Sequence, residues 1–133
     1  MRGMLYVLGG RIDSQEAVRD TVFALDLGNV KNGWKSLARM PTPRGGVSAS
    51  VVDGKVYVFG GEGNPDPASK GVFNQTEVYD VKKNTWKKLQ PMKVPRHGTA
   101  AVTVGRSIYI AAGGTTISGD GMTNIFDSFI ALD

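Results

Sequence analysis

The sequence contains no cysteine and only one histidine among its 133 residues. The missing cysteines exclude a disulfide framework, a thiol nucleophile and any metal site built on cysteine ligands. No apolar run approaches the ~20 residues that a membrane-spanning helix requires, and no signal peptide opens the chain, because the apolar stretch at residues 5–8 already belongs to a repeat. We therefore expect no cofactor, no metal and no membrane partner, whereas the compartment stays open.

Charge of one sign is only modestly in excess, with 16 basic and 12 acidic residues. Lysines cluster at 82–83 and 87–88. An acidic partner or a nucleic acid is one interpretation of this cluster, and an outer strand whose edge lysines discourage sheet-to-sheet pairing is the other. The second is favoured, because no aromatic residues interleave with these lysines as base stacking would require. We predict no nucleic-acid partner.

Glycine is abundant, at 18 residues, and much of it recurs at a fixed spacing. Gly-Gly pairs occur at 9–10, 60–61 and 113–114, each after an aromatic or aliphatic run. Trp34 and Trp86 lie 52 residues apart, as do Arg44 and Arg96. Self-similarity near 50 residues predicts a repeat architecture.

The best-preserved repeat, at about 45–95, carries four short segments rich in β-branched and aromatic residues, separated by turn signals. Asp53-Gly54, between the first and second segments, favours a two-residue hairpin. The pattern predicts an all-β chain with strands near 4–9, 21–27, 34–37, 47–52, 55–59, 76–81, 85–89, 98–104, 107–112 and 125–132.

The second strand of the best-preserved repeat, 55–59, is apolar on both of its faces. We therefore expect its sheet to lie between two others. The first strand of the second and third repeats is built from small residues, at 47–50 and 99–101, which suit a place where sheets converge. Wedge-shaped four-stranded sheets around an axis are the blades of a β-propeller.

The chain resembles the kelch-repeat proteins, and most of all the microbial, galactose-oxidase-like members. The resemblance depends on the run ending in Gly-Gly, on Tyr79-Asp80, on the spaced Trp86, and on the connectors Met40-Pro41 to Arg44 and Pro91-Met92 to Arg96. It covers essentially the whole chain and implies an incomplete kelch propeller of about two and a half four-stranded blades. The expected divisions are 1–43 for part of the first blade, 44–95 for the second and 96–133 for part of the third.

Incomplete blades at both ends leave two interpretations open. The chain is a fragment of a larger propeller, which we favour, or several copies associate to complete a ring. In either case the terminal blades should present apolar faces and self-associate. The expected apolar residues are Leu5, Tyr6, Val7, Leu8, Phe23 and Leu25 in the first blade, and Ile108, Tyr109, Ile110, Phe126, Phe129 and Ile130 in the third.

Strand alternation places the long loops 11–20, 62–74 and 115–124 at one end of the blades, together with the connectors 38–44 and 90–96. Because function concentrates on long loops held by a rigid scaffold, we expect a ligand-binding face there. Its candidate residues are Arg11, Arg44, Glu62, Arg96, His97 and Thr115. Arg44 and Arg96 recur in each repeat, so a blade-maintaining role is the alternative for them.

The remaining candidates have alternatives as well. Arg11, Glu62 and Thr115 each follow a Gly-Gly pair directly, so we expect them to occupy equivalent positions. The residue type varies there, as it would on a ligand face or in an unconstrained loop. His97 is a candidate base or metal ligand, but a lone loop histidine is more often neither. Trp34 and Trp86 fit packing between blades better than sugar stacking.

The resemblance implies a non-catalytic kelch-repeat binding module that recognises a protein or an acidic ligand. The alternative is a fragment of a carbohydrate-active propeller of galactose-oxidase-like or sialic-acid-mutarotase-like activity. The copper site of the galactose-oxidase-like relatives needs a tyrosine-cysteine crosslink and histidine ligands, which this chain cannot supply. Neither the ligand nor the number of blades follows from the sequence.

Overall fold

The computed structural model describes residues 3–119 and 121–131, and of Ile130 only the backbone. Within them are ten strands and three single 3-10 turns, at Val30–Asn32, Pro67–Ser69 and Ile117–Gly119, and no α-helix. The strands are β1 (Met4–Leu8), β2 (Val22–Asp26), β3 (Lys35–Ser36), β4 (Ser48–Val52), β5 (Lys55–Phe59), β6 (Thr76–Asp80), β7 (Thr85–Leu89), β8 (Ala101–Val104), β9 (Ser107–Ala111) and β10 (Phe126–Ile130).

The strands form three antiparallel sheets, ordered β1-β2-β3, β4-β5-β6-β7 and β10-β9-β8. The all-β prediction of one four-stranded and two three-stranded sheets is confirmed. Strands β4 and β8 lie side by side between the second and third sheets, and the hydroxyl of Ser48 donates to the carbonyl of Thr99 at 3.0 Å. Small side chains thus line the inner strands, where neighbouring sheets approach most closely.

Most strand ends lie within one residue of the sequence prediction, and three strands call for an explanation. The strand expected at 34–37 contains only Lys35–Ser36, because the single turn at Val30–Asn32 and Gly33 take up the chain before it. The strand expected at 98–104 begins at Ala101, because His97 instead bridges to Gly114. The last strand ends at Ile130 rather than at 132, a position outside the described residues.

The core has two layers, one on each side of the second sheet. Val56, Val58 and Tyr79 pack towards the first sheet, against Val22 and Met40. Tyr57, Phe59 and Val78 pack towards the third sheet, against Ile108 and Ile110. The alternation along β5 therefore buries both faces of the middle sheet, as its apolar pattern predicted.

The terminal sheets each bury one face and expose the other, which corrects the expected apolar list. Tyr6 and Leu8 pack against the second sheet, and Ile108 and Ile110 are fully buried against it. The exposed large apolar side chains on the opposite faces are Leu5, Val7 and Trp34 in the first sheet and Val102, Val104 and Phe126 in the third.

The paired glycines are not equivalent in all three sheets. Arg44 donates a hydrogen bond to the carbonyl of Gly60 in the second sheet. At the equivalent place in the third sheet, Arg96 donates to the carbonyl of Ala112. The backbone of Ala112 has a φ of 56°, close to the 60° of Gly60. The third repeat is therefore displaced by one residue from the expected alignment, and Ala112-Gly113 take the place of Gly60-Gly61.

Candidate functional site

Arg44 lies at the end of the connector before β4 and points into its own sheet. Its Nη1 donates to the carbonyl oxygens of Gly60 at 2.9 Å and Gln75 at 2.8 Å. Its Nη2 donates to Glu77 Oε1 at 2.8 Å, and both side chains have no exposed surface. Burial lowers the pKa of Arg44. The charge of Glu77 and its hydrogen bond to Arg44 act in the opposite direction but do not cancel this effect. The guanidinium thus joins the ends of β5 and β6.

Arg96 repeats this arrangement in the third sheet. Its Nη1 donates to the carbonyl oxygens of Ala112 at 2.9 Å and Ile125 at 2.7 Å, and its Nη2 donates to Asp127 Oδ2 at 2.6 Å. The sequence makes Arg44 and Arg96 candidates for the ligand face, with blade maintenance as the alternative. Their burial and their partners favour the alternative, because no donor of their Nη atoms is directed to solvent.

Glu77 and Asp127, the acidic partners of these arginines, are not among the candidate residues predicted from the sequence. A signal was present, since they lie 50 residues apart, each at the second position of its strand. A buried carboxylate is rarely left without a partner. In the first sheet the equivalent position is occupied by Phe23. Phe23 pairs with Val7 across the sheet, just as Glu77 pairs with Val58 in the second sheet.

Three other candidates meet at the long-loop end. Glu62 has only 4% of its surface exposed. One of its carboxylate oxygens accepts a hydrogen bond from Arg11 Nη2. The other accepts from the backbone N–H of Ser118 at 3.2 Å and lies 3.4 Å from His97 Nδ1. Residues from all three repeats, Arg11, Glu62, His97 and Ser118, thus form one cluster, which we call the Glu62 cluster.

His97 lies between two acceptors. Its Nε2 lies 2.8 Å from the carbonyl oxygen of Thr116, and because a carbonyl only accepts, this nitrogen carries a proton. Its Nδ1 faces the Glu62 carboxylate, which also only accepts. His97 thus connects the third loop to Glu62 through its two ring nitrogens.

The pKa of Glu62 lies below its ordinary value despite burial, which acts to raise it. The hydrogen bonds from Arg11 and from Ser118 N–H, together with the charges of His97 and Arg11, overcome that effect. Glu62 is therefore an ionised carboxylate at neutral pH, and its hydrogen-bonding capacity is directed at the neighbouring loops.

Packing between the three long loops surrounds this cluster. A Cβ added to Gly63 would overlap Val18 of the first loop, and one added to Gly71 would overlap Ile117 of the third. The N–H of Ile117 donates to the carbonyl of Lys70 at 3.0 Å, and Ser118 Oγ hydrogen-bonds Gln15. The first and third loops therefore meet over the second, and together they make one continuous surface.

Thr115 does not occupy the position expected for it. Arg11 and Glu62 each form a bridge immediately after a glycine pair, but in the third repeat that bridge is formed by Gly114. Thr115 lies one residue further on, and its N–H donates to the carbonyl of Gly121 at 3.2 Å. It supports the third loop and, among the described residues, makes no hydrogen bond to the Glu62 cluster.

Within the described residues, no group of three or more His, Cys, Asp or Glu side chains is placed to hold a metal ion. The structure also contains, over these residues, no helix of a length and apolarity that would cross a membrane.

Comparison with protein families gives a match over residues 1–133 to the KLHDC2/KLHL20/DRC7 Kelch-repeats domain. Among curated proteins, the chain is 34% identical to Kelch-like protein terF of Aspergillus terreus over 96% of its own length and 27% of the relative. It is 33% identical to Kelch-like protein 41a of Danio rerio over 85% of its length and 18% of that protein.

A poxviral protein also matches. The chain is 29% identical to Kelch repeat and BTB domain-containing protein 1 of camelpox virus, over 97% of its length and 21% of the relative. Among solved structures, that of YjhT superposes with a TM-score of 0.67 at 26% identity, covering 85% of this chain and 32% of that one. The chain spans 18–27% of the length of these three curated relatives.

Proposed function

The chain belongs to the kelch-repeat family, and from this premise we propose that it acts as a non-catalytic binding module whose long-loop end recognises a protein partner. The proposal concerns the surface formed by loops 11–20, 62–74 and 115–119 with 121–124, which we call the loop face. The observation that supports it most is the packing of these three loops on one another.

A rigid loop surface is what a binding module requires, because loops ordered before binding lose less conformational entropy on association. The Glu62 cluster supplies that order from inside. Outside it, the exposed side chains of the loops are of mixed charge and include Asp13, Glu16, Arg19 and Lys70. A surface of both charge signs suits a protein with a complementary pattern better than a uniformly acidic ligand.

The test is photo-crosslinking from defined positions. A photoreactive amino acid replaces Arg19 in the first loop or, in a second variant, Met122 in the third, which is 84% exposed. The control position is Lys82, in the turn between β6 and β7 at the opposite end of the sheet. We expect the same crosslinked protein from Arg19 and Met122 and none from Lys82.

Charge reversal checks the same surface in solution. Arg19→Glu should weaken capture of that crosslinked protein several-fold, whereas Lys82→Glu should leave it unchanged. A partner captured equally by all three positions, or one insensitive to Arg19→Glu, would contradict the proposal. If no crosslinked protein is found and an acidic sugar binds the chain, the ligand of the loop face is a carbohydrate and the proposed protein partner is wrong.

A further inference from the structure

Some residues other than glycine have a left-handed backbone conformation. Among the described residues there are six, with φ between 48° and 72°: Asp13, Asp53, Lys70, Asn84, Ala112 and Ser118. A Cβ makes this conformation costly, and aspartate and asparagine tolerate it better than other residue types do. It persists only where the surrounding structure holds it, and such positions concentrate at binding sites.

Residue type or local contacts account for all of these positions except one. The two aspartates and the asparagine belong to the tolerated types. Ser118 is held by the hydrogen bond that its N–H donates to Glu62, and the carbonyl of Ala112 accepts from Arg96. Lys70 differs from them, because it is not of a tolerated type and its side chain makes no hydrogen bond or ion pair to any residue that the structure describes.

The backbone of Lys70 is fixed by its neighbours. The residue follows the single turn Pro67–Ser69 with φ 57° and ψ 24°, a conformation that glycine or asparagine usually adopts at the end of a helix. Its carbonyl accepts from the N–H of Ile117 in the third loop at 3.0 Å. The N–H of Gly71, the next residue, donates to Ser69 Oγ at 3.0 Å. The packing that orders the loop face therefore also holds Lys70 in its costly conformation.

The charge of Lys70 has no use inside the described part of the chain. Arg11 pairs with Glu62 and Arg39 with Asp20, whereas Lys70 is exposed on the second loop without an acidic partner among the described residues. A side chain on a fixed backbone loses less conformational entropy on association than one on a flexible loop. The cost of the conformation is therefore offset by nothing within these loops, and an outside contact would explain it.

We propose that Lys70 is a specificity-determining residue of the loop face, whose ammonium group pairs with an acidic side chain of the protein partner. This inference rests on the proposed function and adds the chemistry of the partner surface at one point. A cation held at this position favours a partner with a carboxylate opposite it and repels one with a basic residue there.

The test measures stability and binding on the same variants. Lys70→Gly removes the side chain together with the cost of its conformation, so the melting temperature should rise by about 2–5 °C. Its capture of the protein that crosslinks from both Arg19 and Met122 should nevertheless weaken about threefold or more, and Lys70→Glu should weaken it further. Lys70→Arg keeps the charge and should capture that protein as the parent chain does.

Lys82→Gly is the matched control, because Lys82 has no positive φ and lies in the turn at the opposite end of the sheet. It should leave capture unchanged and should not raise the melting temperature. Salt gives a second measurement of the charge contact. Added salt should weaken capture by the parent chain more steeply than capture by Lys70→Gly, since exposed charge pairs are screened.

The outcomes distinguish this inference from the proposed function. If Lys70→Gly captures the protein as the parent does while Arg19→Glu does not, the inference is overturned and the proposed function stands. A lower melting temperature for Lys70→Gly also overturns it, because the conformation is then not a cost. If no protein crosslinks from Arg19 and Met122, both are wrong.

Discussion

At the scale of single residues, buried charge decides where this chain is most sensitive to substitution. The Arg44–Glu77 pair is wholly removed from solvent, and Thr42 donates a further hydrogen bond to Glu77 at 2.6 Å. Ionised groups are costly to bury unless their partners are in place. Removing one partner should therefore do more harm than removing both.

Glu77→Leu leaves the Arg44 guanidinium buried without its carboxylate. We expect a loss of about 3–5 kcal/mol in the free energy of unfolding, measured by urea denaturation. Asp20→Asn is the matched control, since Asp20 pairs with the exposed Arg39 at 2.7 Å and should change stability by less than about 1 kcal/mol. The double variant Arg44→Met/Glu77→Leu should be more stable than Glu77→Leu; a less stable double variant would contradict the argument.

Gly60→Ala should destabilise the chain by about 1–3 kcal/mol, because the residue has a φ of 60°. The added Cβ would also overlap the carbonyl oxygen of Arg96 from the next connector. Ala112→Gly is the control at the equivalent position of the third sheet and should be neutral or stabilising, because it relieves the positive φ of an alanine. Equal melting temperatures for Gly60→Ala and the parent chain would refute this prediction.

The depressed pKa of Glu62 makes its contribution to stability depend on pH. A carboxyl group with a lowered folded-state pKa stabilises above its ordinary pKa of 4.5 and loses that contribution as pH falls through the lowered value. Glu62→Gln should therefore lower the melting temperature most at about pH 5–7, where the carboxylate is ionised, and least in acid. Glu16→Gln, an exposed substitution in the first loop, controls for the lost charge. A deficit for Glu62→Gln that grows in acid would reverse the assigned sign.

At the scale of elements, the outer strands join one sheet to the next. Trp86 of β7 lies 5.2 Å from the ring of Tyr79 and donates its indole N–H to the connector of the first sheet. Trp34, the residue 52 positions earlier, is half exposed because no described sheet covers that face. Identical residues at equivalent positions thus contribute differently, depending on the neighbouring sheet.

Trp86→Phe keeps the ring packing and removes one hydrogen bond. It should cost about 1 kcal/mol of unfolding free energy and leave Ala38 O without its indole donor. Trp34→Phe should be close to neutral. Parallel urea denaturation of the two variants gives the comparison, and a larger loss at Trp34 than at Trp86 would overturn the packing role assigned to Trp86.

At the scale of the whole molecule, two outer sheet faces expose apolar side chains through which we expect association. Leu5 and Val7 are each 44% exposed on the first sheet, and Val102 and Val104 are 58% and 63% exposed on the third. Apolar sheet faces of this kind are usually covered by another sheet. The two faces differ in composition, so contact between them joins one copy head to tail with the next.

We therefore expect self-association of the chain at micromolar concentration in sedimentation velocity experiments. Val102→Glu should reduce it, because a charge in the contact must be desolvated. Lys82→Glu, in a turn away from either face, should leave the sedimentation coefficient unchanged. A compact monomer at all concentrations would show that these faces do not drive association.

The sequence by itself determined the repeat, the ten strands, the order of long and short loops and the two-sided burial of the middle sheet. These follow from local signals, namely glycine turns, period-two patterning and a spacing near 50 residues. Tertiary structure alone decided that Arg11, Glu62 and His97 meet, that Arg44 and Arg96 bind Glu77 and Asp127, and that Ala112 replaces a glycine. Contacts between repeats depend on how closely sheets approach and on the path of each loop, and a one-residue shift in the chain changes them without changing the strand pattern.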